Sequence, residues 1–309
     1  MMGVAGAGGA AMQDETIRVA FGVDAAYVPH VGATIASLAA ASPRAPLHFI
    51  ILCSGITADD RRRVGLCAPR AGFDWIDIDD PALLSLKTVA HFSAAASYRL
   101  ALPKVVPPEV RRLLYLDCDM VAVRDIAELW RTDLAGRAAA AVSDPGVDGA
   151  DFAARWGLPA GRPAYFNSGV VLLDLAVIRA EGLFDRAQEF LVANQGDLKF
   201  PDQDALNYAL WQRWLELDPI WNMQRTMAIV GMSTGPSGAG VHRQPGIIHF
   251  TTEHKPWLPG TYTPYAWLYW RSLMRTPFRE QVEATYGVDR RAQLRMLARY
   301  ARRWPFLKR

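Results

Sequence analysis

Two aspartates one residue apart, at the end of the apolar run Leu113-Leu114-Tyr115-Leu116-Asp117-Cys118-Asp119, carry the sharpest chemistry in this 309-residue chain. In an extended chain, side chains at i and i+2 leave on the same side. Asp117 and Asp119 can therefore offer two hard oxygen ligands to one point, which suits Mg²⁺ or Mn²⁺ beside a diphosphate leaving group. A bare Asp-x-Asp is equally what a solvated turn after a strand looks like, so the pair needs partners elsewhere. Three segments offer them. PDQDALN (201–207) opens a helix with acids in its first turn, although dipole compensation alone would explain those. YFNSGVVL (165–172) sets an amide just before an apolar strand, as a simple turn also would. GIIHF (246–250) ends a strand near His249, with Lys255 six residues later. A lone histidine is more often structural than a ligand.

The elements that would position these groups alternate. Apolar, β-branched runs at 17–22, 47–53, 73–78, 112–116, 138–143, 169–175 and 246–250 read as strands. Helical patterns lie near 28–41, after Thr57 (a good N-cap followed by Asp59 and Asp60), and at 184–194, 202–214 and 265–274. Strands alternating with helices imply βαβ units and a mainly parallel sheet, which binds ligands beyond the carboxyl ends of its strands. The first acid pair falls at such an end. GMSTGPSGAG (231–240) reads as a surface loop.

Bulk properties narrow the classes. A chain 51% hydrophobic and 21% charged can bury a sizeable core. Its formal charge of +3 is unevenly placed: residues 289–309 hold eight Lys/Arg and one acid, so the tail carries +7 and the body −4. That argues against nucleic acid along the whole protein and for one local anionic partner. Cys53, Cys67 and Cys118 cannot all pair and show no zinc spacing, which suits reduced thiols in a cytoplasmic setting. Residues 1–15 read as a loose Gly/Ala extension, and no apolar run is long enough for a membrane span.

Taken together and in this order, LYLDCDM, YFNSGVVLLDL, PDQDALN and HFTTEHKPW resemble glycosyltransferase family 8, whose members include bacterial lipopolysaccharide galactosyl- and glucosyltransferases. The resemblance spans roughly 17–257. It implies a GT-A fold, an α/β architecture in which a Rossmann-like mixed sheet flanked by helices binds the nucleotide, here over 16–287. It also implies a retaining, Mn²⁺-dependent transfer of a hexose from a UDP-sugar, with Mg²⁺ as the other candidate ion. Residue by residue it makes Asp117, Asp119 and His249 the metal ligands and places Lys255 at the diphosphate. Gly22, Val23, Asp24 and Tyr27 match the uridine loop. Arg99, Asp144, Asn167, Asp202 and Gln203 match groups holding the donor sugar, with Cys118 and Ser168 beside them as substrate contacts. Ala26 and Thr252 depart from the pattern, standing where relatives carry asparagine and glycine.

By the same resemblance, Gln203 is the residue on the face where a double displacement would need a carboxylate nucleophile, and an amide is a poor one. Front-side attack is therefore the expected mechanism, with Asp202 the alternative nucleophile. Two other readings are a nucleotide-sugar or glycan-binding protein without turnover and a metal-dependent nucleotidyltransferase. The latter would carry basic residues in its first loop, and Gly22-Val23-Asp24-Ala25-Ala26-Tyr27 has none. In the tail (288–309), Leu294, Leu297, Ala301 and Trp304 repeat at helical spacing among arginines. That pattern suits a helix lying on an anionic membrane, with docking on the protein body as the alternative; the family resemblance implies an enzyme at the inner membrane face acting on a glycan or lipid-linked acceptor.

Overall fold

The computed structural model describes residues 16–79, 94–161, 165–230, 244–261 and 263–289, together with positions 291, 292, 294, 295 and 298. The expected loop at 231–240, the extension at 1–15 and most of the tail lie outside the described residues.

Seven strands form the main sheet: β1 (Ile17–Val23), β2 (Leu47–Cys53), β3 (Gly72–Asp77), β4 (Arg112–Leu116), β6 (Ala139–Ser143), β7 (Phe166–Asp174) and β8 (Trp214–Glu216), in the order 3-2-1-4-7-6-8. β5 (Met120–Ala122), β9 (Met223–Gln224) and β10 (Ile247–His249) form a small sheet in the order 5-10-9. β1 and β2 are buried at six of seven positions each, as strands covered on both faces must be. Helix α1 (Val28–Ala41) packs on one face with α2 (Ala58–Gly65). Its small residues permit close approach: a Cβ on Gly32 would stand 2.8 Å from the Phe278 ring. Phe278 leads α8 (Arg279–Tyr286), which with α7 (Ala266–Leu273) closes that side. Between them in sequence run α3 (Gly149–Trp156), α4 (Leu175–Glu181), α5 (Leu183–Ala193) and α6 (Pro201–Ala209), the last three over the other apolar face of the sheet.

The expected mixed α/β fold is present, with three adjustments. The sheet is mainly parallel, as expected, but one strand departs: β7 runs antiparallel to both β4 and β6. The helix expected over 202–214 stops at Ala209: Gln212 adopts a left-handed φ of 60°, and Trp214 turns into a strand beside Ala139, its ring edge-on to Phe166 at 5.1 Å. Burial of that tryptophan outweighs continuation of the helix. Finally, β5, β9 and a 3₁₀ helix at Ala94–Ala101 are too short or too irregular to show a period.

β1 has β2 on one side and β4 on the other, both parallel. The chain leaves opposite ways at this switch point, which opens a crevice beyond the strand ends. Asp24 follows β1 there and Asp117 follows β4.

Candidate active site

The crevice is a cavity of about 420 Å³. At its floor the two sheets meet. The Asp117 N–H donates to the Gly169 carbonyl at 2.9 Å, and the Phe250 N–H donates to the Asp119 carbonyl at 3.0 Å. His249, last in β10, pairs with Met120 of β5. These ladders bring three ligand groups together: His249 Nε2 lies 3.3 Å from Asp119 Oδ1 and 3.6 Å from Asp117 Oδ2. A cation with bonds of about 2.1 Å at right angles needs neighbouring ligand atoms on the order of 3 Å apart. The cluster has nearly that spacing, and its oxygen and nitrogen donors suit a divalent transition ion. Gly169 leaves the space for it, since a Cβ there would stand 2.3 Å from His249 Cε1 and 2.9 Å from Asp117 Oδ2.

The second oxygen of Asp119 is held at 2.5 Å by Lys255 Nζ, which also donates to the Phe250 carbonyl at 2.8 Å. Burial alone would raise the Asp119 pKa; the Lys255 ammonium beside it outweighs burial and keeps the carboxyl well below the usual carboxylate range. Arg99 borders the cavity and is held in place by the protein itself. Its buried guanidinium donates to Ala96 O at 2.7 Å, Ser168 O at 2.6 Å and Asp117 Oδ1 at 2.7 Å, lies 3.2 Å from Asp202 Oδ2 and stacks over Tyr115. Burial opposes its charge, but Asp117 and Asp202 more than offset that and hold its pKa above the ordinary value. Arg99 is thus committed to fixing two carboxylates. Burial also raises the Asp202 pKa, with Arg99 opposing.

The wall beyond these groups depends on an irregularity in β7. Pairing with β6 jumps from Ala141↔Val171 to Val142↔Asn167, so residues 168–170 leave that ladder. Their backbone groups turn to side chains: the Ser168 N–H donates to Gln203 Oε1 at 3.0 Å and the Gly169 N–H to Asn167 Oδ1 at 3.1 Å. Gln203 Nε2 and Asn167 Nδ2 each donate to Asp144 Oδ2 at 3.1 Å. Residues two apart on a helix leave on nearly opposite sides, about 200° apart, so Asp202 meets Arg99 while Asp204 turns to the Tyr165 hydroxyl and the Lys199 and Phe200 N–H groups. Asp204 closes the loop into α6 and does not line the cavity.

On the opposite wall, Asp24 caps the turn at Ala25–Tyr27 by accepting the Tyr27 N–H at 3.0 Å. The Tyr27 ring stands edge-on to His30 and Trp257. Gly22 borders the cavity, whereas the Val23 side chain is in the core and offers a ligand only its backbone. The Cys118 thiol is buried and donates to the Gly22 carbonyl at 3.2 Å, and burial pushes its pKa well up. Thr252, the expected departure, has φ 73°, the left-handed backbone that glycine adopts at least cost. Its hydroxyl accepts the His254 N–H at 3.3 Å.

Apart from Val23, the expected site residues all border this cavity. Sequence reasoning missed two that shape the site. Gly169 was visible as a glycine inside a strand run, a sign of close approach. Asn222 gave no signal: it is fully buried, ends the turn Pro219–Asn222, and its Oδ1 faces His249 Nδ1 at 3.0 Å.

The profile of Glycosyl transferase family 8 matches residues 18–260. The chain belongs to this family. It is 28% identical over 272 residues to General stress protein A of Bacillus subtilis (strain 168), covering 82% of this chain and 91% of that protein. It is also 28% identical to the lipopolysaccharide 1,2-glucosyltransferase of Escherichia coli (strain K12), covering 86% and 80%. Among solved structures, the galactosyltransferase LgtC in complex with donor and acceptor sugar analogues superposes with a TM-score of 0.74 at 22% identity, covering 84% of this chain and 96% of that one. The family-8 chain is therefore a glycosyltransferase with the GT-A fold. Among its described residues no helix is long and apolar enough to cross a membrane.

Proposed function

We propose that this enzyme is a retaining hexosyltransferase that uses a UDP-sugar and Mn²⁺. The observation that carries the reading is charge. Six carboxylates (Asp24, Asp117, Asp119, Asp144, Asp202 and Glu253) line the cavity against two cations, Arg99 and Lys255. A diphosphate could not enter so acidic a space alone, and Asp117, Asp119 and His249 have the spacing to hold a divalent ion. Such an ion supplies neutralisation of the charge on the departing diphosphate. Lys255, a compact cation tied to Asp119, shares that task. Tyr27 offers a ring face for the base and Asp24 a carboxylate beside it.

In the transfer the bond from the anomeric carbon to the diphosphate oxygen breaks, and the acceptor hydroxyl oxygen bonds to that carbon. Its proton passes to the leaving diphosphate. The hydrogen bonds of Gln203 support the front-side course: its amide is fixed by Ser168 and Asp144 as a positioning group, and Asp202 is tied to Arg99. By the names of similar proteins, the acceptor is a lipopolysaccharide-type glycan.

The tail would then hold the enzyme at an anionic membrane. Asp289 Oδ1 accepts the Ala292 N–H at 2.6 Å; Ala292 packs against the core while Leu294 is 56% exposed, and that exposed leucine supports a partner outside the body. Incubation with a panel of UDP-sugars and Mn²⁺, with and without lipopolysaccharide-derived acceptors, tests the reading. UDP release with a glycosylated product is expected; UDP-sugar binding without turnover would overturn it.

A further inference from the structure

Asn222 lies between the metal cluster and the sugar wall, and the direction of its hydrogen bonds is dictated from outside. The Gly169 backbone can only donate, so the oxygen of Asn167 must face it, at 3.1 Å. Asp144 can only accept, which turns the Asn167 Nδ2 toward it, also at 3.1 Å. Asn167 Oδ1 therefore presents an acceptor to Asn222, whose Nδ2 donates to it at 2.9 Å. That leaves Asn222 Oδ1 toward His249 Nδ1 at 3.0 Å, an acceptor that requires a proton on Nδ1. The Nε2 lone pair is then free and points at Asp117 and Asp119. A backbone N–H in β7 thus selects the histidine tautomer through two buried amides.

The fold delivers Asn222 as deliberately as it delivers His249. Asp218 caps the turn at Pro219–Asn222, its Oδ1 accepting the Ile220 N–H at 3.1 Å. The Gly246 N–H donates to the Ile220 carbonyl at 2.7 Å, and β9 pairs beside β10 with Gln224 opposite His249. Asp119, His249 and Asn222 therefore border adjacent strands of the small sheet, and a slip of one strand would lose all three contacts.

We propose that Asn222 is a positioning residue that orients His249 for the metal with its oxygen and Asn167 for the donor sugar with its nitrogen, coupling the two halves of the site. The proposal rests on the metal reading of Asp117, Asp119 and His249. Groups behind a metal-bound histidine are typically worth about 10- to 100-fold in metal affinity.

The two functions of the amide separate by substitution. Asn222→Asp keeps an acceptor for His249 but has no N–H for Asn167. Asn222→Leu removes both. Mn²⁺ binding by the full chain is read without substrate from the loss of the free-ion EPR signal, and UDP-sugar binding by calorimetry at saturating Mn²⁺. Circular dichroism reports folding. The expected result for Asn222→Asp is Mn²⁺ binding at least as tight as the parent with donor binding weakened about tenfold. Asn222→Leu should lose Mn²⁺ affinity about 10- to 100-fold. Should the leucine variant not fold, the split in Asn222→Asp alone decides. Equal loss of both affinities in Asn222→Asp, or parental Mn²⁺ binding by a folded Asn222→Leu, would overturn the proposal while leaving the metal reading intact. A parent protein that binds no Mn²⁺ would overturn both.

Discussion

Gly169→Ala adds a single methyl group at the point where the ligand cluster is tightest. That carbon would stand 2.3 Å from His249 Cε1, 2.7 Å from Nδ1 and 2.9 Å from Asp117 Oδ2. Ordinary contact begins near 3.4 Å, so the ring must retreat by about 1 Å. The imidazole cannot do so and keep both its 3.0 Å bond to Asn222 and its place 3.3 Å from Asp119. Overpacking of this kind costs about 1–3 kcal/mol of stability. A displacement of about 1 Å in a reacting constellation costs on the order of 100-fold in rate. Mn²⁺ titrations of UDP release should show turnover down about 100-fold, with the half-saturating Mn²⁺ concentration raised at least tenfold, while a thermal melt shows a folded protein. Parental turnover at the parental Mn²⁺ requirement would refute the claim that this glycine makes room for the cluster.

Replacing Lys255 with methionine should lower turnover about 100-fold or more by removing a cation from the leaving-group side; kinetics at saturating Mn²⁺ check this. Thr252→Gly should raise stability by about 1 kcal/mol, because a β-branched residue at φ 73° is strained; a chemical melt with a lower midpoint would count against it. Burial lowers the His30 pKa to about 3, with its ring stacked on Trp257. The unfolded chain therefore takes up a proton near pH 6.5 that the folded one refuses, and stability is lost as pH falls below 6.5. At pH 5 the loss is about 2 kcal/mol. Melts of the parent and His30→Phe at pH 7.5 and 5 should show the variant less sensitive. Because Val288 is buried in the core, the tail is best cut after it: removing residues 290–309 should abolish sedimentation with anionic liposomes while sparing donor hydrolysis.

The main strands were legible because burial on both faces leaves continuous apolar runs, as in β1, β2 and β4. Their direction was less so, since the antiparallel course of β7 depends on pairing with distant β4 and β6, which no local pattern encodes. The acid pair, His249 and Lys255 could be picked out by residue type and order, and the cavity gathers them. Arg99 could be placed there but not understood: that its guanidinium is taken up by Asp117, Asp202 and two backbone carbonyls follows from tertiary contacts alone. Asn222 was invisible because its importance lies in hydrogen bonds to residues 27 and 55 positions away. The overextended helix at 202–214 erred where the buried Trp214 side chain, and not local propensity, decides the backbone.

The central claim is that Asp117, Asp119 and His249 hold a divalent ion without which the sugar does not leave its nucleotide. UDP release from a UDP-sugar, measured on EDTA-stripped protein before and after Mn²⁺ is restored, tests it most directly, with Asp119→Asn alongside. The expected result is no release without the ion, recovery on its return, and none from the folded variant under either condition. Full-rate release by the EDTA-treated parent would contradict it.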